Sequence, residues 1–403
     1  MLVGIRILTE YLSPDEYGKL GLSLTVAALF NEVAIGGLLS AFTRFYSIAS
    51  KLNDLQRYLL SVGRLLGISG LVACCVTAGG IMVMSLLGSN TSWTGLLSIG
   101  LFAILFGSSA ALNGVFNGAR ERKFVAVHTS LDMWLRVAFV LVAAHWFVSS
   151  AQTVLWSYVA ALVLVLLLQA YRVRQLFVAS VCRKPTEVGE RFWAREMLRF
   201  AWPVAVWGSF TWAQQAADRW SLETFHSTAD VGMYSVILQL GYFPMTLVMG
   251  MVGTFLTPIF FERTDEQQRR FNRDQDPVWR RILFAGLMFS GLGGMAAFVV
   301  GDDAFAWLVA ADFRGVVSYL PLMVVAGGLY GTSGLLSVRL MSHMKVGQLG
   351  KLMVVSSTLG ILLIGYLTAA FGLMGTVIGK LVFSALHLGL MYWFAIVYNP
   401  RER

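Results

Sequence analysis

Charged residues are scarce in this chain: only 13% of its 403 residues are charged, while 57% are hydrophobic. Soluble domains average about 25% charged residues, so the composition excludes an ordinary soluble protein. Apolar runs long enough to cross a bilayer recur along the whole sequence, and no water-soluble module separates them. We therefore expect an integral membrane protein, without the ectodomain of a receptor or the soluble domain of a singly anchored enzyme.

Cysteine is also rare. Cys74, Cys75 and Cys182 show no metal-ligand spacing, so we expect free thiols and neither a disulfide framework nor a metal site. No phosphate-binding loop occurs, which argues against ATP hydrolysis by this chain. The start, Met1–Leu12, lacks the basic residues and cleavage site of a secretory leader and is expected to be part of a span. No cofactor is expected apart from a coupling ion, H⁺ or Na⁺.

Hydropathy predicts eleven spans of about 20 apolar residues, and a fragment at the start of the chain. Residues 1–12 would cross only about 18 Å, so the first helix is expected to be truncated. Loops rich in Lys and Arg alternate with loops that hold only Lys19 and Arg314. The positive-inside rule places the basic loops in the cytoplasm, and the alternation then requires twelve helices with both termini cytoplasmic.

An internal repeat relates the two halves. Arg6 and Glu10 recur 213 residues later as Arg219 and Glu223, and Gly18 and Thr43 match Gly232 and Thr257 at a spacing of 214. The pair Gly114/Gly118 matches Gly327/Gly331 at 213. The predicted fold is an all-α polytopic membrane protein, with two six-helix bundles related by a pseudo-twofold axis along the membrane normal. We assign 1–180 to the first bundle, 181–197 to a cytoplasmic linker with an amphipathic segment, and 198–403 to the second.

Two repeated pairs, Arg6/Glu10 and Arg219/Glu223, are spaced i, i+4 and so share a helix face. Either each pair anchors a helix end at the interface, or the two arginines face each other across a cavity and bind an anion. Asp218 points about 100° away from Arg219. It is expected either to lock neighbouring helices together or to take up a coupling proton.

Further polar residues lie within the predicted spans, where ionisable groups are costly and often functional. Asn31 and Glu32 fall near mid-bilayer, and Arg44 lies about three turns further on; they are either buried partners or cavity-lining groups.

The other charged residues within spans have their own alternatives. Asp132 and Arg136 could neutralise each other on one helix. Lys380, with His387 on the same face, either finds an interhelical partner or lines the lumen. His128, His145, His226 and His343 are expected to be surface or capping groups.

The stretch LRFAWPVAVWGSFTWAQQAADRWSLETFHSTADVGMYSV, with Asp218–Arg219 followed by a VG-x-Y turn, resembles the polysaccharide flippases of the multidrug/oligosaccharidyl-lipid/polysaccharide exporter superfamily. LTEYLSPDEYGKLGL, GLLSAFTRFYS and FGLMGTVIGKLV extend the resemblance across nearly the whole chain. It implies a bacterial inner-membrane flippase for an undecaprenyl-pyrophosphate-linked oligosaccharide, used in O-antigen, capsule or exopolysaccharide synthesis. The implied partners are that lipid-linked substrate, membrane lipids, a polysaccharide polymerase and a chain-length regulator, with no nucleic acid.

On this interpretation Arg6, Arg44, Arg219, Lys380, Glu32 and Asn31 contact the substrate, while Asp218, Glu10, Glu223, Asp132 and Arg136 are structural or coupling residues. The protein is then not an enzyme. One alternative is a cation-coupled multidrug antiporter of the same fold, which would need an acidic cavity. Another is a membrane-embedded polymerase or glycosyltransferase, which would need a large outward loop; the longest such stretch, 301–315, is expected to be a solvated turn.

Overall fold

The computed structural model describes residues 2–86, 93–181, 190–266, 276–342 and 346–397, and in these ranges every regular element is a helix. The first six are α1 Leu2–Tyr11, α2 Pro14–Lys51, α3 Leu55–Leu86, α4 Trp93–Gly118, α5 Arg122–Trp146 and α6 Ala151–Val181. The remaining five are α7 Glu190–Phe225, α8 from Thr228 to Glu266, α9 Asp276–Leu308, α10 Leu320–Ser342 and α11 Val346–Tyr392.

Nine helices in these ranges are long and apolar enough to cross a membrane, which makes the chain a multi-pass membrane protein. One of the nine, α11, consists of two helices that meet at Gly372, whose φ of 60° is in the left-handed region that favours glycine. Thr368 contacts Thr376, and Ser356 contacts His387, so the chain reverses at this point. The two helices predicted on either side of residue 372 are therefore both present. The all-α polytopic fold is confirmed, whereas the count of twelve spans stays a prediction.

Both α2 and α8 contain a stretch of π-helix. Residues Asn31–Gly36 interrupt α2, and Leu238–Tyr242 interrupt α8. Such stretches insert a residue into the helical ladder and occur often at functional sites. In this protein they carry Asn31 and Glu32 in one helix and Tyr242 in the other.

Packing divides the chain into two compact units. The first is Leu22–Trp212, and the second combines Leu2–Gly21 with the described residues from Ala213 onwards. These groups differ from the predicted ranges because α2 and α7 are long helices whose two ends pack in different units. The ranges 1–180, 181–197 and 198–403 stay a prediction, and residues 182–189 of the linker, like Cys182 and His343, lie outside the described residues.

The repeat is visible in a contact within the second unit. A Cβ atom on Gly18 would lie 1.9 Å from the carbonyl oxygen of Thr228, and one on Gly232 would lie 1.9 Å from that of Pro14. Gly18 and Gly232 are 214 residues apart, and so are Pro14 and Thr228. Each of the two contacts is therefore the repeat counterpart of the other. A local twofold axis passes between Gly18 and Gly232.

The repeat is shifted further along these helices. Gly118 packs on Thr43 and Tyr46, whereas its counterpart Gly331 packs on Thr246 and Met249. Thr43 therefore corresponds in packing to Thr246, and the predicted match with Thr257 is wrong. The spacing between matching residues is 214 at Gly18/Gly232 and 203 at Thr43/Thr246. Between these two positions α2 has eleven more residues than α8, which is about three helical turns.

Another expectation also changes. The stretch 301–315 is not a solvated turn, because α9 continues to Leu308 and a 3₁₀ helix follows at Ala311–Tyr319. Phe313 and Val316 of that helix are buried.

Candidate functional site

Asp218 on α7 is fully buried in the second unit, where three helices meet at its carboxylate. Oδ2 accepts hydrogen bonds from the Tyr234 hydroxyl of α8 at 2.8 Å and from Lys380 Nζ of α11 at 3.0 Å. Oδ1 lies 2.8 Å from the backbone amide of Arg219. The turn between α7 and α8, where Ser227 caps the new helix by accepting from the Asp230 amide, brings Tyr234 back beside Asp218.

Lys380 is the partner that local spacing could not identify, since it lies 162 residues from Asp218. Its side chain is 2% exposed, and its ammonium lies 4.9 Å from the centre of the Tyr242 ring. Of the two alternatives for this lysine, the structure shows the interhelical partner. The Asp218–Lys380 pair ties α7 to α11.

Arg219, next along α7, is in a different situation. Its Nε is buried without a hydrogen-bond partner, and in the described part of the chain its guanidinium forms no ion pair with Glu223. Glu223 instead accepts from Thr228 Oγ1 at 3.1 Å and leaves Oε2 buried and unbonded. Among the described residues, the Arg219 guanidinium therefore has unused hydrogen-bond donors next to the buried Asp218–Lys380 ion pair. A guanidinium with unused donors is suited to binding an anion.

Arg6, the repeat counterpart of Arg219, is held in place. It pairs with Glu10 through Nη2 and donates from Nη1 to the Val309 carbonyl at 2.9 Å, just past the end of α9. Thr9 accepts from the Ala310 amide at 3.2 Å, beside the same point. Of the two alternatives for the Arg6/Glu10 pair, these contacts agree with the one in which the pair anchors a helix end. Arg6 and Arg219 both belong to the second unit.

The first unit holds the other intramembrane candidates. Asn31 donates to the Ala27 carbonyl at 3.0 Å, and its Oδ1 is buried without a partner. Glu32 is exposed, and its carboxylate lies against Gly208 of α7, where a Cβ would come within 3.1 Å of Oε2. The π-helical stretch of α2 thus places an amide and an acid together.

Two arginines of the first unit rest on aromatic rings. Arg44 is exposed, and its guanidinium lies 4.9 Å from the centre of the Phe200 ring. Arg136 pairs with Asp132, Nη2 to Oδ2 at 2.7 Å, and it also lies over three rings at 5.2–5.4 Å. Those rings are Phe102, Phe106 and Tyr158. The neutralisation expected for Asp132 and Arg136 on one helix is observed.

Two histidines are buried in polar contacts that the sequence did not reveal. His128, expected at the surface, is 2% exposed and contacts Asn113 and Gln169. His387 is 2% exposed and lies 3.0 Å from Ser356 Oγ. The expectation for His128 is therefore wrong: its helix packs against α6 and α4, and only the tertiary packing decides which face is covered.

The fold is that of the MOP-superfamily transporters. An inward-facing multidrug resistance transporter of the MATE family aligns with a TM-score of 0.73 at 13% identity, covering 98% of this chain and 92% of that one. The lipid II flippase MurJ, in an inward closed conformation, gives 0.72 at 12% identity over 99% and 86%. A MOP-superfamily transporter from Pyrococcus furiosus gives 0.57 at 13% identity over 98% and 90%. Identities this low establish a shared fold alone.

The family follows from the sequence itself. Residues 1–263 match the family described as polysaccharide biosynthesis protein. Because the match covers more than half of the chain, the protein belongs to that family, and the predicted resemblance is confirmed. No curated protein matches the chain.

Proposed function

We propose that this protein moves an undecaprenyl-pyrophosphate-linked oligosaccharide across the bacterial inner membrane by alternating access, for the synthesis of O-antigen, capsule or exopolysaccharide. The observation that carries the proposal is membership of the polysaccharide biosynthesis family in a chain built from membrane-spanning helices. The fold that it shares with a lipid II flippase supports a lipid-linked substrate. In this view the chain is a transporter and not an enzyme.

The charge pattern supports an anionic substrate. A pyrophosphate loses its hydration when it crosses hydrocarbon, and guanidinium groups can replace that hydration with charge-assisted hydrogen bonds. Arg219 has a buried donor that is unbonded among the described residues, and Arg44 is exposed with its guanidinium over the Phe200 ring. We assign each of these arginines a role in contacting the substrate headgroup. Arg6 and Lys380 have protein partners and are given anchoring roles in this proposal.

The acids and amides have a second role in the proposal. Glu32 and Asn31 contact the sugar portion of the substrate or carry the coupling ion, H⁺ or Na⁺. Both termini lie in the cytoplasm, and the flippase works beside a polysaccharide polymerase and a chain-length regulator, which receive its product on the outer side.

Replacing Arg219 with alanine tests the headgroup assignment. In cells whose surface polysaccharide depends on this chain, Arg219→Ala should lower the assembled polysaccharide about tenfold or more at unchanged protein level, because charge-assisted bonds are worth about 1.5–3 kcal/mol. The lipid-linked precursor should accumulate. Both quantities can be measured by gel analysis of the polysaccharide and by extraction of the lipid-linked precursor.

The repeat provides the matched control. Arg6→Ala removes a guanidinium of the same motif, but one that bonds to Val309 and Glu10, so transport per folded molecule should stay near normal. Normal polysaccharide with Arg219→Ala would contradict the headgroup assignment. Efflux of cationic dyes from cells without pumps of their own would instead favour the multidrug antiporter.

A further inference from the structure

A polar cluster in the first unit has no part in the function proposed above. It lies between α4, α5 and α6 and consists of His128, Asn113, Gln169 and the Ser109 carbonyl. His128 is 2% exposed and Gln169 is fully buried. Buried polar groups need matching donors and acceptors. The contacts of the cluster therefore indicate which protonation state of the His128 ring gives its neighbours partners.

One ring nitrogen of His128 is settled by its neighbour. Nδ1 lies 2.6 Å from the Phe124 carbonyl oxygen, which can only accept. Nδ1 therefore carries hydrogen in every state of the ring. The protonation state of His128 is decided at Nε2.

The other nitrogen has neighbours with opposite requirements. Asn113 Oδ1 lies 2.6 Å from Nε2 and calls for a hydrogen there, while Gln169 Nε2 lies 2.7 Å away and calls for a lone pair. With a neutral ring, Gln169 Nε2 donates to the ring and also to Asn113 Oδ1 at 3.3 Å, but Oδ1 then lies 2.6 Å from a ring lone pair. With a protonated ring, Nε2–H donates to Asn113 Oδ1 and faces the Gln169 amide hydrogens. Protonation at Nε2 therefore requires the Gln169 amide to turn.

The unbonded atom of Gln169 shows which turn accompanies protonation. Gln169 Oε1 is buried and has no hydrogen-bond partner in the described part of the chain. Turning the terminal amide by 180° exchanges Oε1 with Nε2 and presents an acceptor to the ring. Two oxygens would then face Nε2–H of His128, and Oε1 of Gln169 would gain a partner. The turned amide would give up its contacts with Asn113 Oδ1 and the Ser109 carbonyl, and Nε2–H of the ring would replace the donor to Asn113.

We propose that the His128 cluster is a proton-binding site. One proton from water binds at Nε2, which then donates to Asn113 Oδ1, and the Gln169 amide turns as the proton binds. Water is close along the helix, because His128 lies about 9 Å from the start of α5 at Arg122. The proposal does not depend on which substrate the protein moves.

The charged groups around the cluster are either paired or exposed at the start of α5. On α5, Asp132 lies one turn beyond His128 and pairs with Arg136, while Arg122 and Lys123 in the first turn are exposed. On α6, Arg172 donates to both carboxylate oxygens of Glu121 at 2.9 and 2.7 Å. Helix α4 contains no charged residue.

The charge of the bound proton is therefore stabilised by neutral groups. These are the oxygens of Phe124 and Asn113, together with the faces of nearby rings. The Phe124 and Phe116 rings lie 4.7 and 5.9 Å from the imidazole, distances at which an aromatic ring can attract a cation.

The test is a titration of the folded full-length protein in lipid nanodiscs, with isotope-labelled histidine observed by NMR. The chain has five histidines, and His128→Gln identifies the signal of interest. Between pH 8 and pH 5 that ring should change from the Nδ1–H tautomer to the doubly protonated form. His145→Gln, which changes an exposed histidine on the same helix, should leave this transition in place.

Variants of Asn113 separate proton binding from a purely structural role. Asn113→Asp should strengthen proton binding at least tenfold, because a carboxylate replaces a neutral oxygen, whereas Asn113→Leu should weaken it about tenfold. A His128 ring that keeps one protonation state from pH 5 to pH 8 in folded protein would overturn the proposal. So would a shift of both Asn113 variants in the same direction; if Asn113→Leu does not fold, Asn113→Asp decides alone.

Discussion

Lys380→Met is expected to destabilise the protein by about 3–5 kcal/mol, because it leaves the carboxylate of Asp218 buried without its compensating charge. Asp218 is fully buried and Lys380 is 2% exposed, so water cannot readily replace the lost ammonium. Tyr234 and the Arg219 amide would still donate to the carboxylate, but two neutral hydrogen bonds do not balance a charge. The measurement is the midpoint of thermal unfolding in detergent, monitored as the loss of the monodisperse species on heating.

The control is the double variant Asp218→Leu/Lys380→Met. Apolar replacement of both partners of a buried ion pair is often neutral or stabilising, so the double variant should be more stable than Lys380→Met. Tyr234→Phe should cost less than Lys380→Met, since it removes one donor and no charge. If Lys380→Met unfolds at the wild-type midpoint, or if the double variant is no more stable than the single one, the pair is not a structural lock.

Gly18→Ala is expected to destabilise the protein by about 3 kcal/mol, at the upper end for overpacking. The added Cβ would lie 1.9 Å from the Thr228 carbonyl oxygen, and a backbone atom cannot swing aside as a side chain can. Helices α2 and α8 would have to separate by more than an ångström. Gly232→Ala should behave in the same way, because it enters the same contact from the other side.

Gly63→Ala is the matched control, since nothing lies within 4 Å of the position its Cβ would take. It should be neutral or stabilising by up to about 1 kcal/mol, as alanine is the better helix former. The double variant Gly18→Ala/Gly232→Ala should cost less than the sum of the two, because one separation of the helices relieves both clashes. Equal thermal midpoints for Gly18→Ala and Gly63→Ala would contradict the close crossing.

Much of the fold could be predicted from the sequence. Apolar run lengths and the scarcity of charge identify a polytopic helical membrane protein, and the family resemblance agrees with the match over residues 1–263. The Gly18/Gly232 pair of the repeat also proved to be a physical contact. These features succeed because they depend on composition and on spacing along one helix, which the bilayer constrains directly.

The site was less predictable. The i, i+4 rule gave Asp132/Arg136 and Arg6/Glu10 correctly but suggested the same pair for Arg219/Glu223, which does not form in the described chain. The rule places side chains on one face and cannot say what else competes for them. For Glu223 the competitor is Thr228, at the start of the next helix.

The sequence by itself determined that this is a helical membrane protein of the polysaccharide biosynthesis family, with a duplicated motif and a cationic intramembrane set. Only the tertiary structure decided which of those cations have partners. Lys380 pairs with Asp218 and Arg6 bonds to the Val309 carbonyl, whereas Arg219 keeps unused hydrogen-bond donors in the described part of the chain. The tertiary structure also decided that His128 is buried among amides. The physical reason is that these contacts join residues 15 to 303 positions apart, and helix packing brings such residues together in ways that no local periodicity records.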